Sequence, residues 1–409
     1  MSLRILHTLP TVDSGAEDSV RDVIELAAAQ RKFGHEMEIV SLGRPESDGL
    51  GGLGVTVHRL PRSRLPYGYS AEFVRWMKAH ATRFDCVIIH GVFEFNSYGA
   101  WLALRDMSIP YFVFTHGMLE PWAKLHHQIN HFRRWFYWPW GGYPVLRDAH
   151  AVLFLSDHER HRSQETFWLY DCHEFVVRFG TKGIPSELPD RGEGAFFQAH
   201  PPLRGRRLFT YLGCASGRGG ADALIRALAQ LRQRGAWQPE AMKLVLANVP
   251  ASGEKALRAL AARLGVSDSV YWAGAVADQA RWGLLSASEV LLRPSDFEAS
   301  GRVVAEALSA DTPALMSFGV MIWKDVVNEG AGMADEETPE GFARLLHRWL
   351  TLSEDERSSM RRTARHCFEN RFTLDGAANT LTAAIYLLVG VHRDGRWDLK
   401  PLKPASELL

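Results

Sequence analysis

The chain has little cysteine, no excess charge of either sign and no apolar run long enough to cross a bilayer. Four cysteines, Cys86, Cys172, Cys214 and Cys367, are scattered through 409 residues without paired spacing. That excludes a disulfide framework and a cysteine zinc cluster, and it fits a reducing compartment. Lys+Arg and Asp+Glu both number 47. No global field is available to draw nucleic acid or an anionic membrane, and no nucleic-acid partner is expected. The longest nearly uncharged stretch near the end, LTAAIYLLVGV, is too short for a membrane span. No basic N-terminus followed by an apolar stretch marks a signal peptide. A soluble, cytoplasmic α/β protein is the expectation, long enough for two domains.

What is present is an alternation of short apolar runs and helical periodicity. LRILHTLP reads as a strand, and SGAEDSVRDVIELAAAQRKFGH follows it as a helix, with Val20, Val23, Ile24 and Ala27 at helical spacing. Gly34 reads as its C-cap. EMEIVSL and GVTVHRL are two further strands. FDCVIIHG and IPYFVFTHG are apolar runs that end in His-Gly, so His90 and His116 fall at the C-terminal ends of strands. Open α/β sheets bind ligands at those ends. A stretch dense in Gly and Pro, TKGIPSELPDRGEGAFFQAHPPLRG, reads as a linker. The alternation then restarts with RRLFTYLG, MKLVLANV, SVYWAGA, EVLLRPS and TPALMSF, with helices at roughly Ala221–Arg234, Gly253–Leu264 and Arg302–Ala310. The first domain is expected over 1–185, with 376–409 packing back on it, and the second over 186–375. The Pro-bearing end, RDGRWDLKPLKPASELL, reads as a surface tail.

In RPSDFEASGRVVAEALS, Glu298 and Glu306 are separated by seven residues. Glu298 lies at a strand-to-helix mouth, and Glu306 lies one to two turns inside the helix. A helix N-terminus offers unpaired N–H groups and partial positive charge, which favour phosphate. Two carboxylates on such an element suit two sets of hydroxyls, as on a sugar and a ribose. The alternative is a capping acid and a solvated helix residue.

The stretch PSDFEASGRVVAEALSADTP resembles the E-x7-E signature of retaining glycosyltransferases of family 4. Pro294, Ser295, Glu298, Gly301, Glu306, Ala307 and Pro313 match; Ser300 and Asp311 depart from the usual aromatic and Gly. SGAE at Ser14–Glu17 resembles the family's GGAE loop. FTHGMLEPWAKL resembles a segment of members that build bacterial surface polysaccharides. VYWAGAVADQARWGLLSASEVLLRPS follows the family's layout ahead of the signature. The resemblance runs from the first strand to ENRFTLDGAANTL. It implies the GT-B fold: two facing Rossmann-like doubly wound domains with an interdomain cleft.

It further implies transfer of a hexose-type unit from a nucleoside-diphosphate sugar to a hydroxyl acceptor, a glycan or a lipid-linked oligosaccharide, with retention. The nucleotide sugar is a co-substrate, and no cofactor is expected. By the resemblance Glu306 holds the ribose, Glu298 lies near the sugar hydroxyls, and backbone around Ser300, Gly301 and Arg302 meets the diphosphate or sugar. His116 stands beside the transferred sugar, Gly15 allows close approach of backbone, and Gly274 faces the base. Bland alternatives are a strand-end histidine satisfied by backbone and ordinary turn glycines. The family's cationic clamp is altered in YLGCASGRGGADAL: Cys214 and Gly219 replace Arg and Lys. Arg218 is expected to carry that charge, with Arg302 a second candidate, against a solvated loop cation. There is no D-x-D motif. His126, His127 and His131 have no acidic or Cys partner nearby, so no metal is expected. A catalytically silent relative and a GT-B epimerase are the competing functions.

LHHQINHFRRWFYWPWGGYPVLRDAH packs Trp135, Phe136, Tyr137, Trp138 and Trp140 beside Arg133 and Arg134. Aromatics with Arg suit a membrane interface and so a peripheral contact at the inner face, or sugar stacking. The leading expectation, however, is a buried helix of the first domain with a few surface cations. Nothing in the sequence marks an oligomeric state.

Overall fold

The computed structural model describes residues 2–11, 18–43, 55–63, 67–121, 128–213, 220–276, 278–389, 392–393 and 396–397. The chain divides into two compact units, Met1–Gly180 with Leu374–Leu409, and Thr181–Thr373. Each holds one wholly parallel sheet with helices on both faces. Among the described residues no helix is long and apolar enough to cross a membrane.

The first sheet contains β1 (Arg4–Leu9), β2 (Glu36–Leu42), β3 (Thr56–Leu60), β4 (Cys86–His90), β5 (Tyr111–Phe114), β6 (Ala151–Phe154) and β7 (Glu174–Val176), in the order β3-β2-β1-β4-β5-β6-β7. The order reverses between β1 and β4, the crevice where doubly wound sheets take ligands. Because both faces are covered, β4 and β5 are buried at every residue and read as continuous apolar runs. Leu6, Val87, Ile89 and Val113 pack on one face with Phe73 and Phe95, whereas Leu9 and Ile39 meet Val20, Val23 and Ile24 of the helix Asp18–Lys32 on the other. Gly34, at φ +87°, follows that helix. The helix Leu374–Val389 packs Leu374 and Ala378 against Ala29. Beyond it, described residues of the terminal segment form a short antiparallel pair, His392–Arg393 with Arg396–Trp397.

The second sheet contains β8 (Arg207–Leu212), β9 (Met242–Ala247), β10 (Val270–Gly274), β11 (Ser288–Arg293), β12 (Ala314–Ser317) and β13 (Gly332–Asp335), in the order β10-β9-β8-β11-β12-β13. The period-2 alternation of strands is explicit here. Leu208, Leu212, Val245, Ala247 and Leu291 enter one core; Phe209, Tyr211, Leu244, Leu246, Val290 and Leu292 enter the other, with Trp349. Each fully buried Leu, Val or Phe contributes about 1.5–3 kcal/mol relative to exposure.

Two expectations need correction. The Gly/Pro-dense stretch is not a bare linker. It contains the helix Glu193–Ala199, whose Phe196 is fully buried in the second unit's core. Gly192 and Gly283 let this segment approach the helix Asp278–Ala287: a Cβ on Gly283 would stand 2.0 Å from the Gly192 carbonyl oxygen. The aromatic stretch is not a buried helix either. Its helix Gln128–Tyr137 runs into a π-helical turn, Trp138–Gly142, and on to Tyr143–Arg147. Trp138 is fully buried and stacks on Phe167 at 4.1 Å, but Phe132, Trp135, Phe136 and Trp140 are 66%, 44%, 68% and 73% exposed. β6, β7 and β13 were not expected from the sequence; β7 is half-buried throughout and β13 at its last two residues, so neither reads as an apolar run.

Candidate functional site

In the first unit, His116 follows β5 with φ +48°, a left-handed conformation uncommon outside glycine. The turn is held by Glu159, fully buried on the helix Asp157–Ser163. Its carboxylate accepts hydrogen bonds from Thr115 Oγ1 at 2.5 Å, from the Gly117 N–H at 2.7 Å and from the Leu155 N–H at 2.7 Å. Burial raises the Glu159 carboxyl above its ordinary range, and these bonds oppose that shift. Backbone geometry alone thus does not set the position of His116; a buried carboxylate ties the ends of β5 and β6 together.

The His116 ring is half-buried, and its partner is a side chain rather than backbone. Its Nε2 lies 2.8 Å from His90 Nδ1, and His90 Nε2 lies 2.9 Å from His7 Nδ1. The rings stack with centroids 5.1 and 5.2 Å apart. Burial lowers His7 and His116 to about 4 and His90 well below the ordinary 6.5, with neighbouring imidazoles adding to the His90 shift. All three are neutral at pH 7. Asn96 donates to the His90 carbonyl at 2.8 Å and braces the same strand end.

In the second unit, Glu298 sits in the turn after β11 and pairs by backbone with Val320: its N–H donates to the Gly319 carbonyl at 2.9 Å, and its carbonyl accepts from Met321 at 2.9 Å. Its carboxylate is ion-paired with Arg293 Nε, and both side chains are nearly buried. Arg293 also donates to the Leu212 carbonyl at 2.8 Å, joining the ends of β8 and β11 at the strand-order reversal. Gly301 precedes the helix Arg302–Ser309 at φ +63°. A Cβ there would stand 2.4 Å from Ile322 Cδ1, so both conformation and space demand glycine. Glu306, buried one turn in, is gripped from two sides: Arg302 Nε donates to Oε1 at 3.1 Å, and Arg281 Nη2 pairs with Oε2. Ser300 is half-buried beside Gly301. Gly274 ends β10 with φ +69° and open space where a Cβ would stand, and its carbonyl accepts from Asn248 at 2.8 Å. Asp311 adopts φ +59°, which explains why glycine suits that position; here its carboxylate pairs with Arg191 at 2.5 Å.

These two sets of strand-end residues coincide with two family matches. Residues 19–168 match the glycosyl transferase 4-like domain, and residues 194–366 match glycosyl transferases group 1. Both matches are to glycosyl transferase models, on separate parts of the chain. Over 152 residues, 36% of this chain and 38% of the relative, it is 30% identical to the lipopolysaccharide glucosyltransferase WaaG of Escherichia coli K12. Among solved structures, a glycosyltransferase from Rickettsia africae superposes with a TM-score of 0.74 at 15% identity, covering 96% of this chain and 100% of that one. HepE of Anabaena, solved with UDP and glucose, gives 0.71 at 16% identity over 94% and 100%. At these identities the likeness is one of fold, two Rossmann-like domains of the GT-B type.

Within the group 1 domain the structure gathers Glu298, Ser300, Gly301, Arg302 and Glu306 on one loop-and-helix element, while Gly274 ends a strand further along the same sheet. His116 belongs to the 4-like domain. Gly15, Arg218, Cys214 and Gly219 lie outside the described residues. Sequence reasoning passed over Arg293, Arg281, Glu159 and His7. Arg293 had a signal, a cation closing the apolar run EVLLR. Glu159 is disguised, because Ser156-x-x-Glu159 has the spacing of a helix capping box. Arg281 and His7 carry no local signal. Among the described residues, no group of three or more His, Cys, Asp or Glu is placed to hold a metal.

Proposed function

We propose that the protein transfers a hexose-type unit from a nucleoside-diphosphate sugar to a hydroxyl of a glycan or lipid-linked acceptor in surface-polysaccharide synthesis, with retention and without a resident metal. The observation that carries this is the Glu298–Glu306 element, with both carboxylates pre-ordered by arginines at the helix mouth. A carboxylate offers about four lone-pair sites. The Arg281 and Arg302 contacts leave Glu306 capacity for ribose hydroxyls, and Glu298 can accept from sugar hydroxyls. Arg302, at the helix start, has donors for a diphosphate, and helix N–H groups add partial positive charge. Transfer on one face breaks the bond from the anomeric carbon to the diphosphate oxygen and forms one to the acceptor oxygen. The acceptor proton passes to the departing diphosphate.

The exposed aromatic helix supports a peripheral membrane contact on the acceptor side. Segment 121–147 contains Lys124, Arg133, Arg134 and Arg147 and no Asp or Glu. Arg134 lies 4.7 Å from the Phe93 ring centroid, which anchors the helix while Phe132, Trp135, Phe136 and Trp140 stand outward. Such a face suits an anionic headgroup layer, at the cytoplasmic surface of the membrane. Co-sedimentation with phosphatidylglycerol vesicles should be lost in Trp135→Ser/Phe136→Ser/Trp140→Ser.

The deciding experiment incubates the protein with UDP-glucose and a truncated lipooligosaccharide, with EDTA present. We expect a product whose anomeric configuration by NMR matches the donor. An inverted product overturns the retaining assignment, and a metal requirement overturns metal independence. Binding without turnover of any sugar nucleotide marks a silent relative, and acceptor-free sugar isomerisation an epimerase.

A further inference from the structure

Glu306 is almost enclosed, and its two oxygens are held from different directions. Oε1 accepts from Arg302, one turn back on the same helix, and that pair is shut in, with the Arg302 side chain 9% exposed. Oε2 pairs with Arg281, which comes from the helix Asp278–Ala287 and whose side chain is 26% exposed. Of the two partners Arg281 is the one that reaches the surface, so a group arriving at Oε2 meets its guanidinium as well. The helix that carries Arg281 is seated by backbone. A Cβ on Gly192 would stand 2.4 Å from the Gln279 carbonyl oxygen. The turn ahead of the helix is stapled by Asn248, at φ +55°: its Nδ2 donates to the Val276 carbonyl at 3.1 Å, and its Oδ1 accepts from the Val276 N–H at 2.7 Å. Just past the helix of Glu306, Asp311 pairs with Arg191, and Asp190, Arg191 and Asp311 all take left-handed backbone, at φ +53°, +50° and +59°. Such strain persists where the surroundings over-determine it, and it gathers at functional sites. Arg281 is therefore set in place and is not a loose surface cation.

We propose that Arg281 is a specificity-determining residue of the donor site, reading one ribose hydroxyl jointly with Glu306. The hydroxyl donates its O–H to Oε2, and its oxygen accepts from the Arg281 guanidinium. This rests on the assignment of Glu306 to the ribose. A carboxylate offers lone pairs alone and a guanidinium N–H groups alone, whereas a hydroxyl has one O–H and two lone pairs. A carbonyl or ether oxygen satisfies Arg281 but turns a lone pair toward Glu306. An anion meets Arg281 and is repelled by Glu306. A hydroxyl satisfies both. Arg281 has donors to give: Nη2 faces Glu306, and Nε is buried without a hydrogen-bond acceptor among the described residues. Its planar fork fixes their direction, which a lysine could not do. A nucleotide that lacks the hydroxyl loses two bonds, each to a charged partner. The pair therefore selects ribonucleotide over deoxyribonucleotide donors, away from the sugar that is transferred.

Calorimetry of the full-length protein with UDP, 2′-deoxy-UDP and 3′-deoxy-UDP tests it, with ADP, GDP and their deoxy forms run alongside. We expect one deoxy analogue to bind the native protein at least about tenfold more weakly than its parent. Arg281→Met should shrink that ratio several-fold, because Glu306 then reads the hydroxyl alone. Arg281→Lys, which keeps the charge and a donor, should restore part of it. The ratio is taken within each variant, so a loss of folded protein cancels. If Arg281→Met weakens parent and analogues equally, or changes none of them, Arg281 is an ion-pair and packing residue and the proposal falls. Equal affinity of the native protein for parent and both analogues also overturns it. If Glu306→Gln lowers the ratio and Arg281→Met does not, Glu306 keeps the ribose and Arg281 loses it. If none of the three parent diphosphates binds, the donor-site reading of Glu306 fails and this proposal fails with it.

Discussion

The two units place opposite chemistry at equivalent ends of similar sheets. In the first, β1 and the ends of β4 and β5 carry imidazoles that are buried or half-buried, neutral and linked to one another. In the second, the ends of β8 and β11 and the following helix carry carboxylates paired with arginines. The neutral row offers hydrogen-bonding groups without a fixed charge. The charged set holds two anions poised in a region proposed to receive a third, the diphosphate, and the arginines make that tolerable. The same topology thus carries neutral hydrogen-bonding groups in one unit and paired charges in the other.

Acid should separate the two most strongly. His7 and His116 have folded pKa values lowered to about 4 from 6.5, and His90 is lowered further. Above pH 6.5 they are neutral in both states. As pH falls below 6.5 only the unfolded chain takes up protons, so stability of the first unit falls until the folded pKa values are reached. Each ring that stays neutral costs about 1.4 kcal/mol per pH unit in that window. The urea midpoint read from hydrogen exchange in β4 should therefore drop steeply between pH 7 and pH 5. A flat profile in β4 would show that the imidazoles protonate without cost.

Removing a charge should hurt the second unit most. Arg293→Ala leaves Glu298 nearly buried without its cation and the Leu212 carbonyl without its donor. Breaking such a pair costs about 3–5 kcal/mol. Arg293→Met with Glu298→Met should recover much of the stability while losing UDP-glucose affinity in calorimetry. Retained affinity in that double variant would remove the pair from the donor site.

In the first unit the matching substitution is Glu159→Ala. It strips acceptors from Thr115, Gly117 and Leu155; each buried donor left unpaired costs about 1–3 kcal/mol, and removing the buried carboxyl, itself penalised by desolvation, offsets part of that. Because the turn holds His116 in a left-handed conformation, turnover should fall further than stability explains. Activity unchanged at a temperature well below unfolding would make Glu159 purely structural.

Much of this was legible in the sequence, for physical reasons. Strands buried on both faces, such as CVIIH and YFVF, announce themselves as apolar runs. His90 and His116 could be placed at strand ends, and Glu298 and Glu306 on one element. Their partners could not, because contacts such as Arg281–Glu306 and His7–His90 join residues far apart in the chain. The aromatic helix misled for a related reason. Trp138 and Trp140 are two residues apart and so fall on nearly opposite faces of the helical turn, one inward and the other outward.

The smallest expected effect has the opposite pH sign and so sharpens the contrast. Glu337 is raised from 4.5 to about 7, by burial first and then by Asp296 and Asp222. Its Oε1 would lie 3.2 Å from a Cβ on Gly220, at the N-terminus of the helix Ala221–Gln233. Above pH 7 the carboxylate is charged in both states, and the folded state bears its burial and repulsion. As pH falls from about 7 toward 4.5 the folded protein takes up the proton first, so this cost fades, and below 4.5 both states are neutral. Screening by solvent at this partly exposed site reduces the penalty to about 1 kcal/mol. Glu337→Gln should therefore raise the urea midpoint of the second unit, read in β11, at pH 8 and leave it almost unchanged at pH 5. The β4 midpoint should move at neither pH. An equal gain at both values would mean that the substitution acts through packing, and that no buried carboxylate near Gly220 resists ionisation.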